Sequence, residues 1–178
     1  MARRSYRLTP RSHPGRSVDL GLMRVAFGSD HAGFTLKEIL KGELALRGHE
    51  VSDLGTNSAD VRVDYPDFGA AVGRAVAAGE AEVGVCACGS GNGIAMAANK
   101  IPGVRAAVVH DVTTATMAGQ HNHANVVCLG SRVVGTAVAI DSVVAFLSAS
   151  GEGGRHEARI AKLADLDREL VHHSEGTP

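Results

Sequence analysis

Tryptophan is absent, and aromatic residues make up only 3% of the chain. Proteins that stack nucleic-acid bases need aromatic platforms, so that class is disfavoured. An excess of one charge is missing too. Eighteen Lys and Arg stand against 19 Asp and Glu, a formal net charge of −1, and no global field gathers a polyanion. Long apolar runs are also lacking. The longest are strand-length and broken by Gly, Asp or His, well short of the ~20 residues that span a bilayer. Neither nucleic acid nor membrane is expected as a partner. Cysteine is scarce: Cys86, Cys88 and Cys128 form no spaced even-numbered framework, which argues against a secreted disulfide scaffold and suits reduced thiols in the cytoplasm.

What remains is an ordinary globular composition, 44% hydrophobic and 21% charged over 178 residues, enough for one domain with a real core. Residues 1–22 stand apart. Arg3, Arg4, Arg7, Arg11 and Arg16 precede the first acid, Asp19, and Pro10, Pro14 and Gly15 break any helix. A disordered extension is expected there. A transit peptide lacks its amphipathic period, and an upstream start assignment is a third reading. The expected domain covers residues 23–172, with a tail over 173–178.

From Met23 the pattern alternates. Short apolar runs at Met23–Gly28, Val51–Leu54, Glu82–Ala87, Val104–Val109 and Val126–Leu129 read as strands. Between and after them, helices are expected over Phe34–Arg47, Pro66–Ala78, Ile94–Asn99, the segment behind an Asp111 N-cap, Gly135–Leu147 and Arg155–Leu170. This implies an α/β fold: a Rossmann-like three-layer sandwich with a five-stranded parallel sheet and helices on both faces. Sites in such folds collect outside the carboxyl ends of the strands. Four segments qualify: Ser29–Gly33, Cys88–Gly93, His110–Asp111 and Gly130–Arg132.

The strongest local signal is Cys88-Gly89-Ser90-Gly91-Asn92-Gly93. Closely spaced glycines let a loop turn its N–H groups inward and hold an anion, either a phosphate or an enediolate. A plain turn is the bland alternative. The spacing is neither a P-loop nor a dinucleotide fingerprint, so a nucleotide-binding protein is a poor fit. A thiol beside such N–H groups ionises more readily and can act as base or nucleophile, whereas a lone cysteine is more often inert core. Cys86, two residues earlier on the same strand, and Cys128 read as that inert case. Their spacing is poor for zinc, and no metal is expected. Asp30 and His31 could serve as acid, base or anion contact, or Asp30 could simply be an N-cap. His121 and Asn122 lie in a polar stretch leading into the last strand. Arg132, Arg155, His156 and Arg159 are basic, with Arg155 and Arg159 on one helical face, suited to clamping a phosphate or to plain solvation.

Together these segments resemble the ribose-5-phosphate isomerase B family, which includes galactose-6-phosphate, allose-6-phosphate and tetrulose-phosphate isomerases. The matching motifs are GSDHAGF at Gly28–Phe34, DYPDF at Asp64–Phe68, CGSGNGIAMAANK at Cys88–Lys100, HNHANV at His121–Val126, GSRVVG at Gly130–Gly135 and GGRHEARI at Gly153–Ile160. The resemblance implies an aldose-ketose isomerase without metal or cofactor. Ribose 5-phosphate is the default substrate, and a tetrose or hexose phosphate the alternative. A non-catalytic phosphosugar-binding module would lack the base. By resemblance, Cys88 is the base between C1 and C2, and Ser90 assists proton exchange between the oxygens. The amides of Gly89, Gly91, Asn92 and Gly93 hold the enediolate. His121, with Asp30 nearby, opens the sugar ring; Asn122 and Tyr65 contact the sugar. His31, Arg132, Arg155, Arg159 and His156 bind the phosphate. Some relatives carry a Glu base just after the Gly-Asn-Gly turn; Ile94 stands there, which points to the cysteine subtype. The family pattern also implies a homodimer with shared active sites and a C-terminal helix reaching the partner; pairing of dimers into tetramers is left open.

Overall fold

The computed structural model describes residues 21–175, with side chains over 21–169. The extension expected at the amino terminus lies, up to residue 20, outside the described residues. Five strands and six helices follow in strict alternation until the final helix pair. They are β1 (Arg24–Ser29), α1 (Phe34–Leu46), β2 (Glu50–Asp53), α2 (Tyr65–Ala77), β3 (Val83–Cys88), α3 (Asn92–Ala98), β4 (Ala106–Val108), α4 (Val112–Asn122), β5 (Val126–Gly130), α5 (Thr136–Ser148) and α6 (Arg155–Glu175).

All strand pairs are parallel, in the order β2-β1-β3-β5-β4. Period-2 alternation divides the apolar residues between two faces. Val25, Phe27, Val85, Val127 and Leu129 pack against Leu36, Leu40, Val143 and Phe146 of α1 and α5, with Ala115 and Ala118 of α4. Ala26, Cys86, Cys88, Val126 and Cys128 point the other way, onto Val72, Val76, Ile94 and Ala98 of α2 and α3. Burial on both faces is why the central strands read as continuous apolar runs rather than alternating ones.

The order places β1 and β3 side by side although β2 lies between them in the chain. The connection from β1 leaves toward β2, and that from β3 leaves toward β4. Loops diverge at this switch point and open a crevice at the strands' carboxyl ends.

Most boundaries shift by a single residue from expectation, and three larger shifts have a visible cause. The third helix begins at Asn92, two residues early, because Gly91 adopts φ 83° and turns the chain directly into the helix. The fourth strand is limited to Ala106–Val108, since the Val104 N–H is taken by a turn to the Ile101 carbonyl at 3.1 Å. The last helix continues to Glu175, past the expected end and into the expected tail.

Candidate active site

Three of the four expected segments converge on the crevice. Asp30 follows β1, the Cys88–Gly93 loop follows β3, and Arg132 and Val133 follow β5. With Tyr65 from the start of α2 they line a cavity of about 370 Å³. The loops are stitched together by the backbone and one hydroxyl. The Ser131 N–H donates to the Cys88 carbonyl at 2.9 Å, and the Arg132 N–H to the Gly89 carbonyl at 3.1 Å. Ser131 Oγ donates to the Ala32 carbonyl at 2.7 Å.

Cys88 ends β3 and is 4% exposed. Its Sγ accepts the Gly91 N–H at 3.1 Å, a contact made possible by the left-handed turn at Gly91. This contact fixes the sulfur at the cavity wall. The amides of Gly93 and Ile94 open α3 and have no intrahelical acceptor, so they are free for an oxyanion. Ser90 is exposed at the mouth, its Oγ 3.4 Å from the Asn92 N–H. Tyr65 lies close against Gly93, where even a Cβ would meet ring carbons at 2.7 Å. The Arg132 guanidinium stands over Gly89.

Cys86 shares the face of Cys88 and sits beside Cys128 in register. Its hydrogen bond to the Cys86 sulfur, then burial, pushes the Cys128 thiol well above its ordinary value. A thiol raised that far stays protonated at neutral pH.

Asp30 is not a helix cap. It is 7% exposed, its Oδ1 accepts the Gly33 N–H at 2.9 Å, and Gly33 is the N-cap of α1. This fixes the carboxylate at the cavity wall. The His31 ring turns to the segment before α2, with Nδ1 3.2 Å from the Val63 carbonyl oxygen, which leaves Nε2 for a ligand.

The fourth segment, His110–Asp111, does not join. β4 is an edge strand separated from β3 by β5. Asp111 instead caps α4, accepting the Thr114 N–H at 2.7 Å in a capping box. That hydrogen bond holds its carboxyl below the usual range.

A second group lies elsewhere. α4 starts at the carboxyl edge of the sheet and runs back over 11 residues, about 16 Å of helix. Its last residues, His121 and Asn122, therefore sit at the amino edge. The expected neighbourhood of His121 and Asp30 is not formed within one chain. At this edge the His121 and His156 rings stack, centroids 4.5 Å apart and planes 12° from parallel. Glu152 Oε2 is 3.8 Å from His121 Nε2 and 3.6 Å from His156 Nε2. Burial, then His121 and Arg155, hold the His156 imidazole below its ordinary pKa. Arg155 Nε donates to His156 Nε2 at 3.2 Å. Arg155 and Arg159 are exposed on α6, and no carboxylate lies within ion-pair distance of either among the described residues. Asn122 lines a separate cavity of about 340 Å³ with Arg105, Leu163 and Asp167.

Ser131, Val133 and Glu152 were not marked as site residues by the sequence. Ser131 lies inside the expected Gly130–Arg132 segment but carries no charge to single it out. Glu152 reads only as a counter-charge for the arginine pair, since nothing in the spacing places it beside His121.

The chain matches the family model described as Ribose/Galactose Isomerase over residues 25–163. It is 44% identical over 147 residues to ribose-5-phosphate isomerase B of Escherichia coli K12, covering 83% of this chain and 98% of that protein. The structure of ribose-5-phosphate isomerase B from Clostridium thermocellum superposes with a TM-score of 0.81 at 45% identity, over 83% of this chain and 99% of that one. That of the Mycoplasma genitalium enzyme with bound ribulose-5-phosphate gives 0.78 at 44% identity, over 82% and 97%.

Proposed function

The chain belongs to the ribose/galactose isomerase family, in its ribose-5-phosphate isomerase B branch, and on that premise we propose how its residues interconvert ribose 5-phosphate and ribulose 5-phosphate. The observation that carries the reading is Cys88 Sγ, held at the wall of the switch-point cavity and facing the Gly91 N–H.

Ribose 5-phosphate is mostly a furanose, so its ring must open before isomerisation. His121 protonates the ring oxygen while the O1 proton passes to the Asp30 carboxylate, giving the open aldehyde, and solvent carries that proton from Asp30 back to His121. The Cys88 thiolate then removes the proton on C2. Electrons move into the carbonyl, and the developing oxyanion is met by the unpaired amides at the start of α3. Ser90 relays a proton between O2 and O1, and Cys88 returns its proton to C1, leaving the ketose and a regenerated thiolate. Every proton given up is returned, so atoms and electrons balance without an external oxidant or reductant. The phosphate binds to Arg132, Arg155, Arg159 and His31, supplying binding free energy remote from the reacting carbons.

The separation of His121, Arg155 and Arg159 from Cys88 supports a homodimer with shared sites. In it, the amino edge of one protomer faces the carboxyl edge of its partner, and each cavity is completed by the partner's α4 and α6.

The test is an isomerisation assay with EDTA present, over aldose and ketose phosphates of four, five and six carbons. Ribose 5-phosphate should be turned over best, and Cys88→Ala should lower kcat by about 10³-fold or more while phosphosugar binding persists. Preference for a tetrose or hexose phosphate would keep the mechanism and change the substrate. Retained turnover in Cys88→Ala would remove Cys88 as the base.

A further inference from the structure

Glu152 lies in the connection between α5 and α6, beside His121 in space but 31 positions away in sequence. Its backbone is fastened to the last turn of α4 at two points that flank His121. The Glu152 N–H donates to the Gln120 carbonyl at 2.8 Å, and the Glu152 carbonyl contacts His123 Nε2 at 2.9 Å. Its carboxylate then stands within 4 Å of both stacked histidines. His156, only 5% exposed, cannot swing away. Through its Nε2 it receives Arg155, one of the arginines assigned to the phosphate.

The three candidate ligand atoms of His121, Glu152 and His156 lie within 4.8 Å of one another, close enough for a metal ion by distance. Two features disfavour that use. Nearly parallel rings keep their in-plane lone pairs in separate planes, where they cannot converge on one ion. The Arg155 N–H also occupies the lone pair of His156.

We propose that Glu152 is a positioning residue for the ring-opening step. Its carboxylate holds the His121 imidazole against His156, and through Arg155 the phosphate grip and the ring-opening group form one unit. The proposal rests on the assignment of His121 to ring opening.

Ribulose 5-phosphate provides the means of separating the two. With O5 esterified it cannot close a five-membered ring, so exchange of its C1 proton with deuterated water requires Cys88 but no ring step. In the full chain, Glu152→Gln should lower kcat on ribose 5-phosphate about tenfold or more, with KM and C1 exchange changed less than about twofold. His121→Asn should show the same pattern, and the double variant should be no slower than His121→Asn alone. Unchanged thermal melting would show that the fold is intact. Wild-type kcat in Glu152→Gln, with His121→Asn impaired, overturns the role of Glu152 alone. Exchange falling in step with turnover overturns it as well, because Glu152 would then support the whole site. Normal turnover in His121→Asn removes the ring-opening assignment and this inference with it.

Discussion

Lys37 shows how a single charge is accommodated in this core. Its side chain is 1% exposed, yet Nζ reaches Asp53 Oδ1 and Oδ2 at 2.7 and 2.6 Å and the Thr56 carbonyl at 2.9 Å. The network fastens α1 to the end of β2 and to the start of the segment that bears Val63, the neighbour of His31. Burial pushes the Asp53 carboxyl up, but hydrogen bonds from Lys37 and Lys41 outweigh it, and the net shift is downward from 3.8. A depressed carboxyl stabilises the fold fully above its unfolded pKa and loses that contribution as pH falls through the folded one. Asp53→Asn should therefore cost about 2 kcal/mol at pH 7, less than a fully buried pair because Asp53 is partly solvated. Urea unfolding should show that difference shrinking as pH drops below about 4, where the unfolded chain begins to protonate Asp53, and vanishing once the folded carboxyl is protonated as well. A pH-independent difference would mean that the charge of Asp53 is irrelevant.

Among the elements, the turn into α3 concentrates the most function in the fewest residues. Gly91 holds φ 83°, and a Cβ there would come within 3.0 Å of the Leu129 carbonyl carbon. Any side chain would be strained in this left-handed conformation and would press on β5. Gly91→Ala should lose about 1–2 kcal/mol of stability, measured by chemical denaturation. Its larger effect should be on kcat, because the N–H that faces Cys88 Sγ belongs to the displaced residue. Equal loss of stability with unchanged kcat would separate the turn from the chemistry. α4 runs the other way: capped at the carboxyl edge by Asp111, it carries His121 to the opposite edge, and its length sets how far His121 lies from Cys88.

For the whole molecule, that distance makes a specific demand on assembly. If each site draws Cys88 from one protomer and His121 from its partner, a dimer of one Cys88→Ala and one His121→Asn chain contains one intact site and one doubly damaged site. Mixing the two inactive variants under conditions that exchange subunits should restore about a quarter of wild-type activity, since half the dimers are mixed and each has one working site. Light scattering on the same samples would report the dimer. No recovery despite verified mixed dimers would place both residues in the same protomer's site.

The alternation of apolar runs with helical periods was enough to read a five-stranded parallel α/β sheet, because buried parallel strands and their crossover helices leave strong local patterns. The Gly loop after β3 and the loops after β1 and β5 were legible for the same reason: turn chemistry and strand ends are local features, and Cys88, Ser90 and Asp30 stand where those features put them. Residue order could not show that His110 and Asp111 fall outside the crevice, because β4's place at the sheet edge depends on non-local pairing. Nor could it show that His121 sits at the far end from Asp30, which follows from the direction of α4. Glu152 became visible only in three dimensions. Its link to His121 joins residues 31 positions apart, and such contacts are decided by packing rather than by local propensity.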